Sequence, residues 1–233
     1  MSSRNLTLST TADGSLTVYS RLSGEHYHSM FGAITESRRV FMELGLCNRL
    51  EEADGVITVL EAGFGTGLNA LLSLSEAIRA KKAVHYYTYE LYPLEPAIYE
   101  RIHFPVTELD GADEWLLQMH EAAWGCDIKL HPLFTLTKRQ EDLTQTELPQ
   151  AVDTVYWDAF SPEAQPELWS EELFRKVFEC CNEGALLTTY CAKGEIRRRL
   201  QRAGFDVLRM PGPKGGKREV LQAIRREPHT GHF

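Results

Sequence analysis

Val56-Ile57-Thr58-Val59-Leu60-Glu61-Ala62-Gly63-Phe64-Gly65-Thr66-Gly67-Leu68-Asn69 decides how the rest of the chain is read. Its first five residues form a short, β-branched, uncharged run, which suits a strand buried on both faces of a parallel sheet. Leu68, Leu71, Leu72 and Ile78 then repeat at helical spacing, so the glycines fall in a strand-to-helix turn. Glycine lets backbone approach a ligand closely there, and the first turn of the helix offers unpaired N–H groups. The stretch predicts a nucleotide cradle, against the plainer alternative of a turn that merely packs a helix on a sheet.

Spacing distinguishes one nucleotide from another. A dinucleotide fingerprint, G-x-G-x-x-G, needs glycine at position 68, where the chain has Leu68; E-x-G-x-G-x-G is the variant typical of S-adenosylmethionine sites. A second strand is expected over Val84 to Leu91. Glu90 at its tip could accept from both hydroxyls of an adenosine ribose. Val152 to Trp157 reads as a further buried strand, ending in Asp158-Ala159-Phe160-Ser161-Pro162. Ligands of open parallel sheets lie outside the carboxyl ends of the central strands, which would bring Asp158 to the cradle; its competing role is a helix cap. Ile128 to Leu136 is a weaker strand that Pro132 assigns to an edge or a bulge. Asp142, shortly after it, is the candidate partner of an adenine amino group, against the equal alternative of a plain surface acid.

The remaining segments complete an α/β pattern. Alternation over residues 6–20 about Asp13-Gly14 predicts a hairpin with a type I′ turn, and Ile34, Val40, Phe41 and Leu44 predict a helix ending at Gly45. Ala97 to Gly125 is expected to be helical, with Trp115, Leu116 and Met119 on one face. Phe174, Val177, Phe178 and Cys181 make a core-facing stripe, and a strand is expected from Ala185 to Cys191. A helix from Lys193 to about Gly204 and an antiparallel pair, Phe205 to Met210 with Glu219 to Ile224, follow. The expected organisation is an N-terminal hairpin and helix extension (1–50), a Rossmann-like domain (51–227) whose mostly parallel sheet is closed by that strand pair, and a flexible tail (228–233).

With 233 residues and 43% apolar content, the chain suits one large domain. No apolar run reaches eighteen residues and Met-Ser-Ser-Arg-Asn lacks a signal segment, so a soluble, cytoplasmic protein without membrane partners is expected. Cys47, Cys126, Cys180, Cys181 and Cys191 form no C-x-x-C, and His26 and His28 have no third ligand nearby; reduced thiols and no metal are expected. The net charge of −8 is uneven: residues 193–226 carry eleven Lys and Arg against three acids. That +8 island is either a solvated helix face or a contact for RNA phosphates.

Glu25-His26-Tyr27-His28-Ser29, the glycine stretch from Leu60 to Asn69, Asp158 to Pro162, Pro166-Glu167-Leu168-Trp169, Thr189 to Gly194 with Arg197-Arg198, and Gly215 to Glu219 together resemble the methyltransferase half of the bacterial enzyme that forms tRNA 5-methylaminomethyl-2-thiouridine. The resemblance covers nearly the whole chain and corresponds to a stand-alone form without the flavin oxidoreductase half. It implies an S-adenosylmethionine-dependent methyltransferase fold and methylation of a primary amine on the tRNA wobble uridine, with a separate flavin-dependent oxidoreductase as a functional partner. By the same resemblance Glu61, Gly63, Phe64, Gly65, Thr66, Gly67, Asn69, Glu90 and Asp142 would hold the cofactor, and Asp158 would hold the reactive amine. Tyr27, His28, Glu36, Phe160, Lys193, Arg197, Arg198, Lys217 and Arg218 would face the substrate. One departure stands out: the family's Gly-Asp after the third strand is here Arg139-Gln140-Glu141-Asp142. The alternatives are a methyltransferase of the same fold acting on a protein or small-molecule amine, a nicotinamide-dependent oxidoreductase, and an RNA-binding domain without catalysis.

Overall fold

The structure, a computed structural model, describes residues 5–52 and 54–226. It opens with a three-stranded antiparallel sheet, β1 (Leu6–Thr10), β2 (Leu16–Ser20) and β3 (Glu25–His26), with β2 in the middle. The hairpin forms as expected, Leu6 pairing with Ser20 and Thr10 with Leu16, but its turn is not type I′. Residues 11–15 separate the strands, and only Gly14 among them has a positive φ. The Asp13 side chain organises this longer loop. Its carboxylate accepts from the Thr11 and Ser15 hydroxyls and reaches the next element through Thr35 N–H (3.0 Å) and Oγ1 (2.9 Å). Burial opposes ionisation, yet bonds from Ser15, Thr35 and Thr11 outweigh it and hold the carboxyl well below its ordinary range.

Helix α1 (Ala33–Ser37) runs through a π-helical segment (Arg38–Leu46) into α2 (Cys47–Glu52). The helix therefore passes Gly45 instead of ending there. A Cβ on Gly45 would lie 3.3 Å from the side chains of both Thr154 and Tyr156, so its glycine is explained by close approach to the sheet. Val40, Phe41, Met42, Leu44 and Leu46 are all buried in the widened turns.

After these come β4 (Ile57–Ala62), α3 (Leu68–Ala80), β5 (Val84–Tyr89), α4 (Pro96–Tyr99), α5 (Ala112–Glu121), β6 (Asp127–His131), β7 (Phe134–Arg139) and β8 (Val152–Trp157). A 3-10 turn (Pro166–Trp169), α6 (Glu171–Cys180), β9 (Cys181–Thr189), α7 (Gly194–Ala203), β10 (Asp206–Pro211) and β11 (Glu219–Ile224) complete the described chain. The large sheet has the order β10-β11-β9-β8-β4-β5-β7-β6, parallel from β9 to β7. It is closed at one side by the antiparallel pair β10–β11 and at the other by β6. The chain leaves β4 for β5 on one side and returns to β8 on the other, which opens a crevice between β4 and β8 at their carboxyl ends.

Three expectations need correction. Ala97 to Gly125 is not one helix: α4 and α5 are separated by residues 100–111, where Pro105 has no N–H to give and Gly111 is left-handed (φ 68°). Ile128 to Leu136 is not one strand, since the chain reverses between β6 and β7 and Pro132 lies in the turn. Strand β9 begins at Cys181, so that residue leaves the helical stripe. Gly184 (φ 77°) lies inside β9, where the pairing with β8 jumps from Val152–Cys181 to Thr154–Leu186.

Alternation along the central strands makes two apolar clusters. Val59 and Tyr156 join Leu71 and Tyr86, together with Leu6, Val18, Val40 and Phe41 of the N-terminal segment. Leu60, Val155 and Trp157 join Trp169, Phe174, Leu200 and Leu221. The extension thus shares a core with the sheet. The expected tail, 228–233, lies outside the described residues.

Candidate active site

A cavity of about 770 Å³ collects residues from the carboxyl ends of β4, β5 and β8, from the N-terminal segment and from the β10–β11 connection. Gly63, Phe64, Gly65, Thr66, Asn69, Glu90, Asp142 and Asp158 all line it, as do Tyr27, His28, Glu36, Phe160, Lys193 and Lys217. Glu61, Gly67, Arg197, Arg198 and Arg218 do not.

The glycine turn is shaped by what presses on it. Gly65 (φ 52°) has the Tyr27 ring 3.0 Å from where its Cβ would stand, and Gly63 (φ 93°) has the Asp158 carbonyl oxygen at 3.1 Å. Neither position has room for a side chain, and both backbones are left-handed. Gly67 faces Leu116, Phe64 and His120, which explains its absence from the cavity wall. Two histidines fix the peptide between them: His28 Nε2 pairs with Thr66 Oγ1 at 2.6 Å, and His120 Nε2–H donates to the Thr66 carbonyl at 3.0 Å. Burial lowers each to about 4, so both are neutral at physiological pH. The N-terminus of α3, capped by no side chain, follows directly.

Glu90 occupies the tip of β5 as expected, with Oε2 accepting from Gly65 N–H (3.2 Å) and Oε1 from Tyr92 N–H (2.9 Å). Burial raises its pKa. Asp142 holds its own turn, accepting from Thr144 N–H and Oγ1, while remaining on the cavity wall.

Asn69 joins two carboxylates. Its Nδ2 donates to Glu61 Oε1 (3.0 Å) and to Asp158 Oδ2 (2.8 Å), while its buried Oδ1 has no partner. Glu61 is 1% exposed and also accepts from Thr88 Oγ1. It sits behind Asn69, and burial pushes it up to about 8. Burial likewise raises Asp158 well above the carboxylate range, the nearby Glu61 and Glu36 adding to it and Asn69 and Lys217 opposing. The loop carrying Asp158 is braced along its length. Asp158 N–H donates to the Ala62 carbonyl, Tyr190 O–H to that of Ala159, and Trp169 Nε1–H to that of Phe160. Ser161 N–H and Oγ both donate to Glu25, and Tyr27 meets Phe160 edge-on at 5.0 Å.

Acids dominate the lining: Glu25, Glu36, Glu90, Glu141, Asp142, Asp158, Glu167 and Glu219 against Lys193 and Lys217. Such a wall suits a cation and repels phosphate. On α7, Arg199 bonds Glu195 and the Trp169 carbonyl, Arg202 bonds Glu171, and Arg197 bonds Gln201, so these three arginines have partners within the fold. Arg198 is exposed. Sequence reasoning missed His120 and Lys138. Lys138 is fully buried, with Nζ donating to the His120 carbonyl (2.6 Å) and lying 4.4 Å from the Trp124 ring; burial lowers it to about 8. A lysine directly after the uncharged Phe-Thr-Leu-Thr run and still within the same strand was the available signal.

The orphaned Asn69 oxygen, the cradle without room for a Cβ and the ribose-compatible carboxylate at β5 fit S-adenosylmethionine. A match to the S-adenosyl-L-methionine-dependent methyltransferase family spans residues 117–226. The chain is 30% identical over 224 residues to the tRNA 5-methylaminomethyl-2-thiouridine biosynthesis bifunctional protein MnmC of Magnetococcus marinus, covering 91% of this chain and 33% of that protein. To the protein of the same name from Pseudomonas fluorescens it is 32% identical over 217 residues, 87% of this chain and 32% of the other. The chain spans about a third of the length of these curated relatives. The crystal structure of MNMC2 from Aquifex aeolicus superposes with a TM-score of 0.81 at 27% identity, over 96% of this chain and 71% of that one. Spermidine synthase from Thermotoga maritima, at 12% identity and TM-score 0.57, shares the fold alone. Residues 117–226 thus match the S-adenosyl-L-methionine-dependent methyltransferases, and nearly the whole chain is similar to about a third of the MnmC proteins and to MNMC2, whose fold it shares.

Proposed function

We propose that the protein methylates the primary amine of 5-aminomethyl-2-thiouridine at the wobble position of tRNA. The observation that carries this reading is Asp158: a carboxylate at the head of β8, inside an acidic cavity, fixed through Oδ2 by Asn69 with Oδ1 left for a ligand. S-adenosylmethionine, when bound, supplies an electrophilic methyl group. The glycine turn and Asn69 would hold its methionine part with Glu61 behind them, Glu90 its ribose hydroxyls, and Asp142 its adenine amino group.

Only a neutral amine has the lone pair that attacks carbon. Asp158 accepts a hydrogen bond from the neutral amine and aligns it, and it takes up the proton that nitrogen sheds once the N–methyl bond has formed and the sulfonium C–S bond has broken; the raised proton affinity of this buried carboxyl brings it closer to that of an amine, which lowers the cost of that transfer. As positive charge develops on nitrogen, the carboxylate stabilises it in a site walled off by Tyr27 and Phe160. Lys193, Arg197, Arg198 and Arg218 lie outside or at the rim of the acidic cavity, where phosphates would be met. In this reading Tyr27, His28 and Glu36 of the N-terminal extension form the substrate-facing wall, the protein works in the cytoplasm, and a separate flavin-dependent oxidoreductase supplies the aminomethyl precursor. Among the described residues no helix is long and apolar enough to cross a membrane.

The test is transfer of labelled methyl from S-adenosylmethionine to tRNA carrying 5-aminomethyl-2-thiouridine, with nucleoside mass spectrometry of the product. Label on 5-methylaminomethyl-2-thiouridine supports the proposal. Transfer to free amines or proteins but not to that tRNA overturns it in favour of another amine methyltransferase.

A further inference from the structure

Where the N-terminal helix meets the β10–β11 connection, the cavity wall contains a cage for a positively charged nitrogen, and the chain itself fills it. Lys217 Nζ lies 3.6 Å from the centroid of the Tyr190 ring and 3.4 Å from Glu36 Oε1. An aromatic face beside a carboxylate is a recurrent way of holding an ammonium group. Both walls are fixed independently of the lysine. Tyr190 is anchored by its hydroxyl bond to the Ala159 carbonyl (2.8 Å), and Glu36 by Ser29 N–H on Oε2 (3.1 Å). Glu36 is 7% exposed and its Oε1 accepts no hydrogen bond. Lys217 therefore neutralises that oxygen without donating to it, and the cage is only partly satisfied by its present occupant. Asp158 belongs to the same charge cluster, where Glu36 and Lys217 act on it in opposite directions.

The lysine is mounted to leave. It lies in the connection 212–218 between β10 and β11, which contains Gly212, Gly215 and Gly216, and it is exposed. Its departure without a replacement would leave Glu36 and Asp158, which already oppose each other's ionisation, without the cation that offsets them.

We propose that the Tyr190–Glu36 cage receives the substrate's primary amine in its ammonium form on entry, ahead of the neutral amine's hydrogen bond to Asp158, and that Lys217 is a tethered stand-in which the substrate displaces. The proposal rests on the amine-methyltransferase reading above. Lys217 then acts as an internal competitor. Only a cation can replace the charge that leaves, so a neutral analogue binds with Lys217 still in the cage, and in the empty enzyme Lys217 offsets the charge of Glu36 and Asp158.

Calorimetric titration of the S-adenosylhomocysteine-saturated protein with 5-aminomethyluridine and with neutral 5-hydroxymethyluridine tests this. Lys217→Met should tighten the amine about tenfold and leave the alcohol within twofold. Glu36→Gln should erase the preference for the amine; Tyr190→Leu replaces it in the test if Glu36→Gln does not fold, as judged by the thermal midpoint. Weaker amine binding in Lys217→Met, or equal tightening of both nucleosides, would overturn the stand-in role. No amine preference in either wild type or Lys217→Met would overturn the cage itself. A persistent amine preference beside a failed tRNA assay would instead remove the proposed substrate and leave the cage standing.

Discussion

Asn69 satisfies two acids with one amide nitrogen, and those acids should respond differently to loss of charge. Asp158→Ala should retain S-adenosylhomocysteine affinity and lose single-turnover methyl transfer by at least ~100-fold, because its interaction strengthens only as charge develops on the amine; a near-normal rate would return Asp158 to a structural role. Glu61 reports through stability. Its folded pKa is about 8 against an ordinary 4.5, so the stability this group contributes is whole below pH 4.5 and is lost as pH rises toward 8, by up to about 1.4 kcal/mol per unit. Glu61→Gln mimics the protonated form and should flatten that decline in urea titrations between pH 5 and 8. Parallel curves for the two proteins would show that Glu61 is already ionised in the fold. Asp158, Glu90 and the glycines could be placed from the chain because each follows a strand whose hydrophobic run is unambiguous. Glu61, at the end of the same run, looked like a cavity residue because strand position does not reveal which atoms an adjacent asparagine will cover.

Elements were legible where periodicity was local and were misread where tertiary packing set the boundary. β4, β8 and β11 needed no more than their own residues. The π-helical segment and the passage through Gly45 depend on how near the helix comes to Thr154 and Tyr156, more than a hundred positions away. The hairpin turn was misassigned for the same reason, since Asp13 is committed to Thr35 on the next element. The glycine turn carries the sharpest test at this scale. Gly65→Val places a branched side chain against Tyr27 and in a left-handed backbone, so S-adenosylhomocysteine binding should fall below detection while far-ultraviolet circular dichroism stays native. Undiminished affinity in the folded variant would move the cradle elsewhere.

In the proposed reading, an acidic cavity inside a chain of net charge −8 would meet a polyanion through the basic C-terminal region. With Arg199 and Arg202 engaged by acids within the fold, the burden shifts to Arg197 and Arg198. Replacing both with Gln should weaken tRNA binding and lower the slope of log affinity against log salt by up to about two units, with S-adenosylhomocysteine affinity unchanged. An unaltered slope would make α7 a solvated face. The bonds from Ser161 to Glu25 close a loop of 136 positions. On a translating ribosome the first sheet emerges before the loop that it braces, which is made 136 positions after Glu25, and the strand after Lys217 comes later still. A fragment that stops before Ser161 therefore lacks the brace on the Asp158 loop, and two complementary fragments cut between Glu25 and Ser161 should regain the site only when they re-associate.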